Sequence, residues 1–171
     1  DRIRSTFPVS SQAELTVEAH PSTVGRDDLH ILADAGFTRI SFGAESMNQE
    51  DFISIGRPGS VADTEETVAD ARAAGFTNIN LDLMYGLPGQ TLQEVERSLQ
   101  WAWQFKGANV QCLQTLLLPG TALRSERRRW GMKADDKPPY GVRSTSTLSQ
   151  EDILALEEFM HRKSPLDCMT E

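Results

Sequence analysis

The chain has 171 residues, of which 39% are hydrophobic and 25% charged, so it is expected to form a globular domain rather than remain disordered. Its formal charge of -8 and isoelectric point near 4.9 disfavour nonspecific binding to nucleic acid. The sequence contains no apolar run long enough to span a membrane and does not open with a signal-peptide pattern, which together predict a cytoplasmic protein without membrane attachment.

Strand-like and helix-like patterns alternate along the chain. Two stretches, AGFTRISFGAES and AGFTNINLDLMY, repeat a helix end, a glycine and a strand, with Gly36 and Gly75 at the helix C-terminal caps. Strands that alternate with helices predict an α/β fold with a parallel sheet and right-handed crossovers. The predicted elements are strands at 13–19, 38–45, 78–85 and 109–117 and helices at 26–35, 49–55, 62–74 and 92–105.

Polar residues in front of apolar runs predict where helices begin. Thr91 and Glu94 have the spacing of a capping box, and Asn48 precedes another helix as its N-cap. Beyond the last predicted strand, the stretch TALRSERRRWG predicts a short basic helix. A loop or linker is expected at 133–147, followed by a final helix at 150–162.

The first three predicted strands each have one polar and one apolar face, unlike the continuous apolar runs of fully buried parallel strands. A curved parallel sheet with a polar inner face predicts part of a barrel with a wet interior. Functional residues of such barrels lie at the carboxyl ends of the strands, where Glu18, Glu45 and Asp82 are placed. The residues on these polar faces are Glu14, Thr16, Glu18, Arg39, Ser41, Gly43, Glu45, Asn78, Asn80 and Asp82.

Three carboxylates at one barrel mouth need a cationic partner because like charges repel. Arg57, in the loop GRPGS, is the predicted partner. The alternative is that the polar interior residues only satisfy one another, and this fits Glu14 and Asn78 best because they lie deepest. The two cysteines, Cys112 and Cys168, have no metal-binding spacing, so no metal ligand is predicted.

Five motifs carry a resemblance to a known family. The stretches LTVEAHPSTV, RISFGAESMN, IGRPGS, INLDLMYGLPGQT and LLLPGTALR closely resemble the radical S-adenosylmethionine superfamily, in its oxygen-independent coproporphyrinogen oxidase-like and elongator-type branch. The resemblance implies a TIM-like partial (β/α)6 barrel, of which this chain supplies about four strands and a short C-terminal helical tail. It further implies that 1–131 forms the C-terminal two thirds of the core domain and that 132–171 is a linker with a helix.

The family resemblance also implies a chemistry. In this superfamily a CxxxCxxC motif binds a 4Fe–4S cluster, which cleaves S-adenosylmethionine reductively and starts radical chemistry on an organic small-molecule substrate. A flavodoxin or ferredoxin is the expected electron donor. This sequence lacks the cysteine motif, so the chain is expected to be a fragment of an oxidoreductase and inactive by itself.

Site residues follow from matching the motifs position by position. Glu18 corresponds to an acid that contacts S-adenosylmethionine on the cluster. Glu45, Arg57 and Asp82 correspond to positions that hold a second S-adenosylmethionine in the coproporphyrinogen oxidase, although the branch usually has Gln in place of Glu45. Leu116 corresponds to a contact at a strand end. No catalytic residue is assigned.

Other functions remain open within the same resemblance. The stretch PPYGVRSTSTLSQEDI is similar to radical S-adenosylmethionine proteins that carry a cobalamin-binding domain, which suggests a cobalamin-dependent methyltransferase. A haem-binding chaperone of the same branch would keep the barrel without the oxidase activity. A degenerate module would explain both the missing cysteines and Glu45.

Overall fold

A computed structural model describes residues 2–162, apart from the side chains of Ile3, His161 and Arg162. The elements are α1 (Arg2–Thr6), β1 (Thr16–Ala19), α2 (Arg26–Asp34), β2 (Arg39–Glu45), α3 (Gln49–Ser54), α4 (Val61–Ala73), β3 (Asn78–Tyr85), α5 (Leu92–Ala102), β4 (Ala108–Gln114), α6 (Ala122–Glu126), β5 (Lys133–Ala134), β6 (Val142–Ser144) and α7 (Gln150–Arg162).

The main sheet contains four parallel strands in the order β1-β2-β3-β4. Each strand pairs with the next one along the chain, and helices form the connections. The predicted parallel α/β fold is therefore confirmed. All the carboxyl ends of these strands point to the same edge of the sheet, which brings their following loops together.

The apolar face of the sheet forms the core. Ile40, Phe42 and Leu81 are fully buried there, together with Val68 of α4 and Val95 of α5. Burial of each such side chain contributes about 1.5–3 kcal/mol. The helices therefore cover the apolar face of the sheet. The opposite, polar face corresponds to the inner face that was predicted from the alternation of polar and apolar residues.

Helix starts and ends follow the predicted local chemistry. The Thr91 hydroxyl accepts a hydrogen bond from Glu94 N, and the Glu94 carboxylate accepts one of 2.7 Å from Thr91 N, which confirms the predicted capping box. Asn48 caps α3 through Glu50 N. Gly36 and Gly75 have positive φ values of 87° and 103° beyond α2 and α4, as their C-terminal cap positions require.

The segment after β4 differs from the prediction. The predicted strand at 109–117 leaves the parallel sheet after Gln114, and Leu117 N donates instead to Tyr140 O at 2.9 Å. The predicted loop contains β5 and β6, which pair antiparallel. Val142 is fully buried against Leu117 and Met132, so a small apolar cluster stabilises this hairpin.

Helix α7 packs onto the main core rather than extending away from it. Ile153 and Leu156 of α7, with Leu148 just before the helix, are buried in the same cluster as the sheet residues. The Ile153 side chain lies next to Gly86, just after β3. The hairpin and α7 therefore cover the sheet near the ends of β3 and β4.

Candidate functional site

The carboxyl ends of the four parallel strands open into a cavity of about 630 Å³. Its wall includes His20 as well as residues from every strand of the main sheet or the loops that follow. All five predicted site residues line this cavity: Glu18, Glu45, Arg57, Asp82 and Leu116.

Glu45 ends β2 in a left-handed conformation, with φ of 56°. The pairing of β2 with β3 shifts between Gly43 and Glu45, and a 2.7 Å hydrogen bond from Ser46 N to Ala44 O closes a tight turn around Glu45. Such a backbone conformation costs about 1–3 kcal/mol in a residue with a Cβ and is concentrated at functional sites. The surrounding structure therefore holds Glu45 in a strained position at the cavity wall.

Glu45 and Arg57 form the ion pair predicted for the barrel mouth. Glu45 Oε1 lies 2.5 Å from Arg57 Nη2, and the two side chains are 6% and 37% exposed, respectively. Burial raises the pKa of Glu45, the Arg57 charge opposes this rise and the Asp82 charge adds to it. The effect of burial on the pKa of Glu45 is larger than that of the Arg57 charge, so this pKa is higher than that of an exposed glutamate.

Gly43 makes room for this ion pair. A Cβ added at Gly43 would lie 2.8 Å from Glu45 Oε1 and would overlap the Arg57 guanidinium. Glycine within a strand commonly marks a place where another group approaches the backbone closely. Here it allows the guanidinium to lie against β2.

Asp82 is held by the polar face of β2 and β3. Its Oδ2 accepts a 2.6 Å hydrogen bond from Ser41 Oγ, and its Oδ1 accepts one of 2.6 Å from Asn80 Nδ2. Both donors are neutral, so the carboxylate is oriented and retains lone pairs for a ligand. At the N-terminal ends of the strands, Asn78 Nδ2 donates to Glu14 Oε2 at 3.3 Å. The Glu14 side chain is 56% exposed and also accepts a hydrogen bond from Thr16, so the expectation that Glu14 lies deep in the interior is wrong.

His20 and Leu116 complete the wall in different ways. Burial, followed by the Arg57 charge, lowers the pKa of His20 while the Asp63 charge opposes the shift, so the site favours the neutral ring. Ser22 N donates to His20 Nδ1 at 3.2 Å, which places the ring proton on Nε2. Leu116 is 36% exposed and offers an apolar surface beside the charged groups.

Two features of the site were not predicted from the sequence. Leu113 and Leu118 are 44% and 45% exposed and extend the apolar wall around Leu116. The signal was the leucine-rich run LQTLLLPG at a strand end, which by itself is equally typical of a core strand. The second feature is a buried hydrogen bond from Ser46 Oγ to Asp51 Oδ2 directly behind Glu45, and it had no sequence signal.

The described residues do not fit an iron–sulfur cluster. Between residues 2 and 162, no group of three or more His, Cys, Asp or Glu side chains is arranged to hold a metal ion. Burial raises the pKa of the Cys112 thiol to about 12, which opposes the thiolate form that ligates metals. Cys168 lies outside the described residues. Within that same part of the chain, the helices are too short or too polar to cross a bilayer.

Comparisons with curated proteins identify relatives of similar sequence. The chain is 37% identical to the heme chaperone HemW of Bacillus subtilis over 114 residues, which are 67% of this chain and 30% of that protein. It is 33% identical to HemW of Escherichia coli over 73% of this chain and 33% of that protein. It is also 34% identical to the oxygen-independent coproporphyrinogen III oxidase of a Synechocystis species over 57% of this chain and 21% of that protein. The chain thus spans about a third or less of the length of these relatives.

Comparisons with solved structures identify the same fold. Coproporphyrinogen III oxidase (HemN) from Escherichia coli matches with a TM-score of 0.67 at 24% identity, over 94% of this chain and 35% of that one. The radical S-adenosylmethionine methyltransferase TsrM from Kitasatospora setae matches with a TM-score of 0.63 at 20% identity, over 81% of this chain and 29% of that one. These matches confirm the predicted TIM-barrel-like architecture. The family described as the Radical SAM superfamily matches residues 3–102, and the chain therefore belongs to the radical S-adenosylmethionine superfamily.

Proposed function

We propose that this chain is the part of a radical S-adenosylmethionine enzyme whose cavity wall binds S-adenosylmethionine through Glu18, Glu45, Arg57, Asp82 and Leu116. The observation that supports the proposal is that all five side chains line one cavity at the carboxyl ends of the parallel strands. Three carboxylates, one guanidinium and one apolar side chain suit a ligand that carries an amino group, a carboxylate, ribose hydroxyls and a flat base.

Four of these residues have distinct tasks in this proposal, and Glu45 holds the Arg57 guanidinium in the cavity. The Arg57 guanidinium pairs with the ligand carboxylate, for which its planar fork is well suited. The Asp82 carboxylate, already oriented by Ser41, accepts hydrogen bonds from an amino group or ribose hydroxyls. Leu116 packs against the base. Glu18 is exposed at the end of β1 and faces the same ligand or a second copy of it.

The cluster chemistry belongs to the proposal for the whole protein. When bound, a 4Fe–4S cluster supplies the electron that cleaves S-adenosylmethionine, and a flavodoxin or ferredoxin would reduce it. The sequence contains no CxxxCxxC motif, and the described side chains do not form a cluster site. This chain therefore contributes the binding wall, and the substrate is proposed to be an organic small molecule.

A second candidate is a haem-binding chaperone. It is favoured because several curated relatives with 30% to 37% identity are named heme chaperones. A cobalamin-dependent methyltransferase has weaker support, because the match to TsrM is 20% identical and shows the fold alone.

The experiment that separates these functions uses the full-length protein, reconstituted with iron and sulfide in the absence of oxygen. The enzyme proposal predicts S-adenosylmethionine binding and formation of 5′-deoxyadenosine. Arg57→Ala should weaken the binding about tenfold or more, as expected when a charged hydrogen bond is lost. Arg26→Ala is the matched control, because Arg26 pairs with Asp70 on the surface. A Soret shift with haem and no 5′-deoxyadenosine would instead favour the chaperone.

A further inference from the structure

A buried polar cluster lies behind the cavity, in which Ser46 contacts both Asp51 and Ser98, and we call Ser46, Asp51 and Gln90 the latch. Ser46 Oγ donates to Asp51 Oδ2 at 2.5 Å, and Gln90 Nε2 donates to the same oxygen at 3.3 Å. Ser46 and Gln90 are fully buried, and Asp51 is 2% exposed. The latch therefore consists of hydrogen bonds that water does not reach.

The latch joins the ends of two neighbouring strands through α3. Asp51 lies on α3, and Ser46 follows the last residue of β2. Gln90 Nε2 also donates to Met84 O of β3 at 3.3 Å, and Leu87 N donates to Gln90 Oε1 at 3.3 Å. The Asp51 carboxylate thus fixes the end of β2 relative to the end of β3.

Glu45 is held from both sides by these contacts. On its N-terminal side, β2 pairs with β3, and on its C-terminal side Ser46 N donates to Ala44 O while Ser46 Oγ donates to Asp51. Rotation of Glu45 from its φ of 56° to a negative φ would redirect the chain at Ser46 and break the bond to Asp51. The latch therefore opposes relaxation of the strained residue.

Burial of the Asp51 carboxylate carries a free-energy cost. Burial raises its pKa, the hydrogen bonds from Ser46 and Gln90 oppose this rise, and the charges of Glu94 and Glu50 add to it. Its two side-chain partners are neutral, and a buried carboxylate without a cation is costly. An apolar side chain at this position would leave the buried donors Ser46 Oγ and Gln90 Nε2 without an acceptor, so Asp51 is tied to both residues and, through Ser46, to Glu45.

We propose that Asp51 is a positioning residue that acts through Ser46 to hold Glu45 in the left-handed conformation in which its carboxylate meets Arg57 in the cavity. The positioning concerns contacts within this chain. Only its consequence for S-adenosylmethionine affinity rests on the proposed function.

The test is the rate at which phenylglyoxal modifies Arg57 in the full-length protein, measured by peptide mass spectrometry with Arg143 as an internal reference. In the wild type, Glu45 shields the Arg57 guanidinium. Asp51→Ala and Ser46→Ala should release Glu45 and raise the Arg57 rate roughly tenfold, the change expected from losing one hydrogen bond to a charged group. Asp51→Asn should stay near the wild-type rate, because its amide oxygen can accept both hydrogen bonds.

A double-mutant cycle distinguishes positioning from general destabilisation. In a Glu45→Ala background Arg57 is already unshielded, so Asp51→Ala should not raise its rate further. The matched control is Thr67→Val, which removes a different buried hydrogen bond, of 3.0 Å to Pro21 O, and should leave the Arg57 rate unchanged. The proposal is overturned if Asp51→Ala leaves the rate at the wild-type value or raises it equally in both backgrounds.

Two further measurements keep the outcomes distinct. If Asp51→Ala does not fold, the same cycle with Ser46→Ala tests the proposal in its place. S-adenosylmethionine affinity is then measured on the same proteins. If the latch substitutions change the Arg57 modification rate as predicted but no protein binds S-adenosylmethionine, the latch is supported and the proposed function is wrong. S-adenosylmethionine binding by proteins in which latch substitutions leave the Arg57 modification rate unchanged would support the proposed function and overturn the latch.

Discussion

Removal of Arg57 should destabilise the protein more than neutralisation of Glu45. Arg57→Ala leaves a carboxylate that is 5% exposed without its cation. The loss of one partner from a fully buried ion pair costs about 3–5 kcal/mol. Because the Arg57 side chain is 37% exposed and water screens the pair, we expect a loss of about 1–3 kcal/mol in the free energy of unfolding at pH 8. Glu45→Gln leaves a guanidinium whose side chain is 37% exposed and can still donate hydrogen bonds to water on that side, so it should cost less than the loss of Arg57.

The penalty for Arg57→Ala should depend on pH in a defined direction. Burial already raises the pKa of Glu45 above its ordinary value of 4.5, and loss of the Arg57 charge raises it further. A carboxyl whose pKa is higher in the folded state binds more protons there, so stability falls as pH rises from the unfolded pKa to the folded pKa. Each unit of difference corresponds to about 1.36 kcal/mol. The penalty should therefore be smallest near the ordinary value of 4.5 and should grow as the pH rises above it.

The assay is urea unfolding followed by circular dichroism at pH 5, 6, 7 and 8. The proteins are the wild type, Arg57→Ala, Glu45→Gln and the double variant. The double variant should lose most of the pH-dependent penalty, because it contains no buried carboxyl at position 45. An Arg57→Ala penalty that is the same at every pH, or a larger loss for Glu45→Gln, would refute this electrostatic reasoning.

Three other predictions test the site and the fold. Gly43→Ala should displace the Arg57 guanidinium and weaken S-adenosylmethionine binding about tenfold, and an unchanged affinity would contradict the close approach at this glycine. Ile153→Ala should lower the free energy of unfolding by about 2–5 kcal/mol because Ile153 is fully buried, whereas Leu154→Ala, at a 48% exposed position, should change it by less than about 0.5 kcal/mol. Equal effects in denaturant titration would show that α7 does not share the core. Cys112 should resist iodoacetamide at pH 8 until urea unfolds the protein, since burial raises its thiol pKa to about 12, and rapid labelling of the native protein would be inconsistent with that burial.

Much of the fold follows from patterns of a few residues. The alternation at Ile79, Asn80, Leu81 and Asp82 places two residues on each face of β3, and the structure buries the apolar pair in the core. Asp82 turns to the polar face, where it accepts a hydrogen bond from Ser41 of the adjacent strand. This central strand therefore carries polar residues because its inner face lines a cavity.

A partnership between Arg57 and the three carboxylates at the barrel mouth was also predictable, because like charges at one place need a cation, and among the three the structure pairs Glu45 with Arg57. The strained φ of Glu45 was not predictable, since glutamate has no local preference for positive φ. The turn depends on a bond between Ser46 and Asp51, which come together only when α3 packs behind β2. Asp51 by itself resembles an ordinary acidic residue in the first turn of a helix.

The hairpin of β5 and β6 was not predicted, because it too depends on contacts between separate segments of the chain. Its strands have two and three residues, and the surrounding sequence KADDKPPYGVRSTST is polar and rich in proline and serine. Val142 is the main apolar signal within the hairpin; of its partners, Met132 directly precedes β5 and Leu117 lies earlier in the chain, before α6. Strand formation here depends on tertiary contact, which a local pattern does not contain.

The most direct test of the central claim is a structure of the reconstituted full-length protein with S-adenosylmethionine bound. The proposal predicts a ligand at the carboxyl ends of β1–β4, with polar atoms within about 3.2 Å of both Arg57 and Asp82. Ligand density elsewhere, with Arg57 still paired only to Glu45, would contradict the assignment of this cavity.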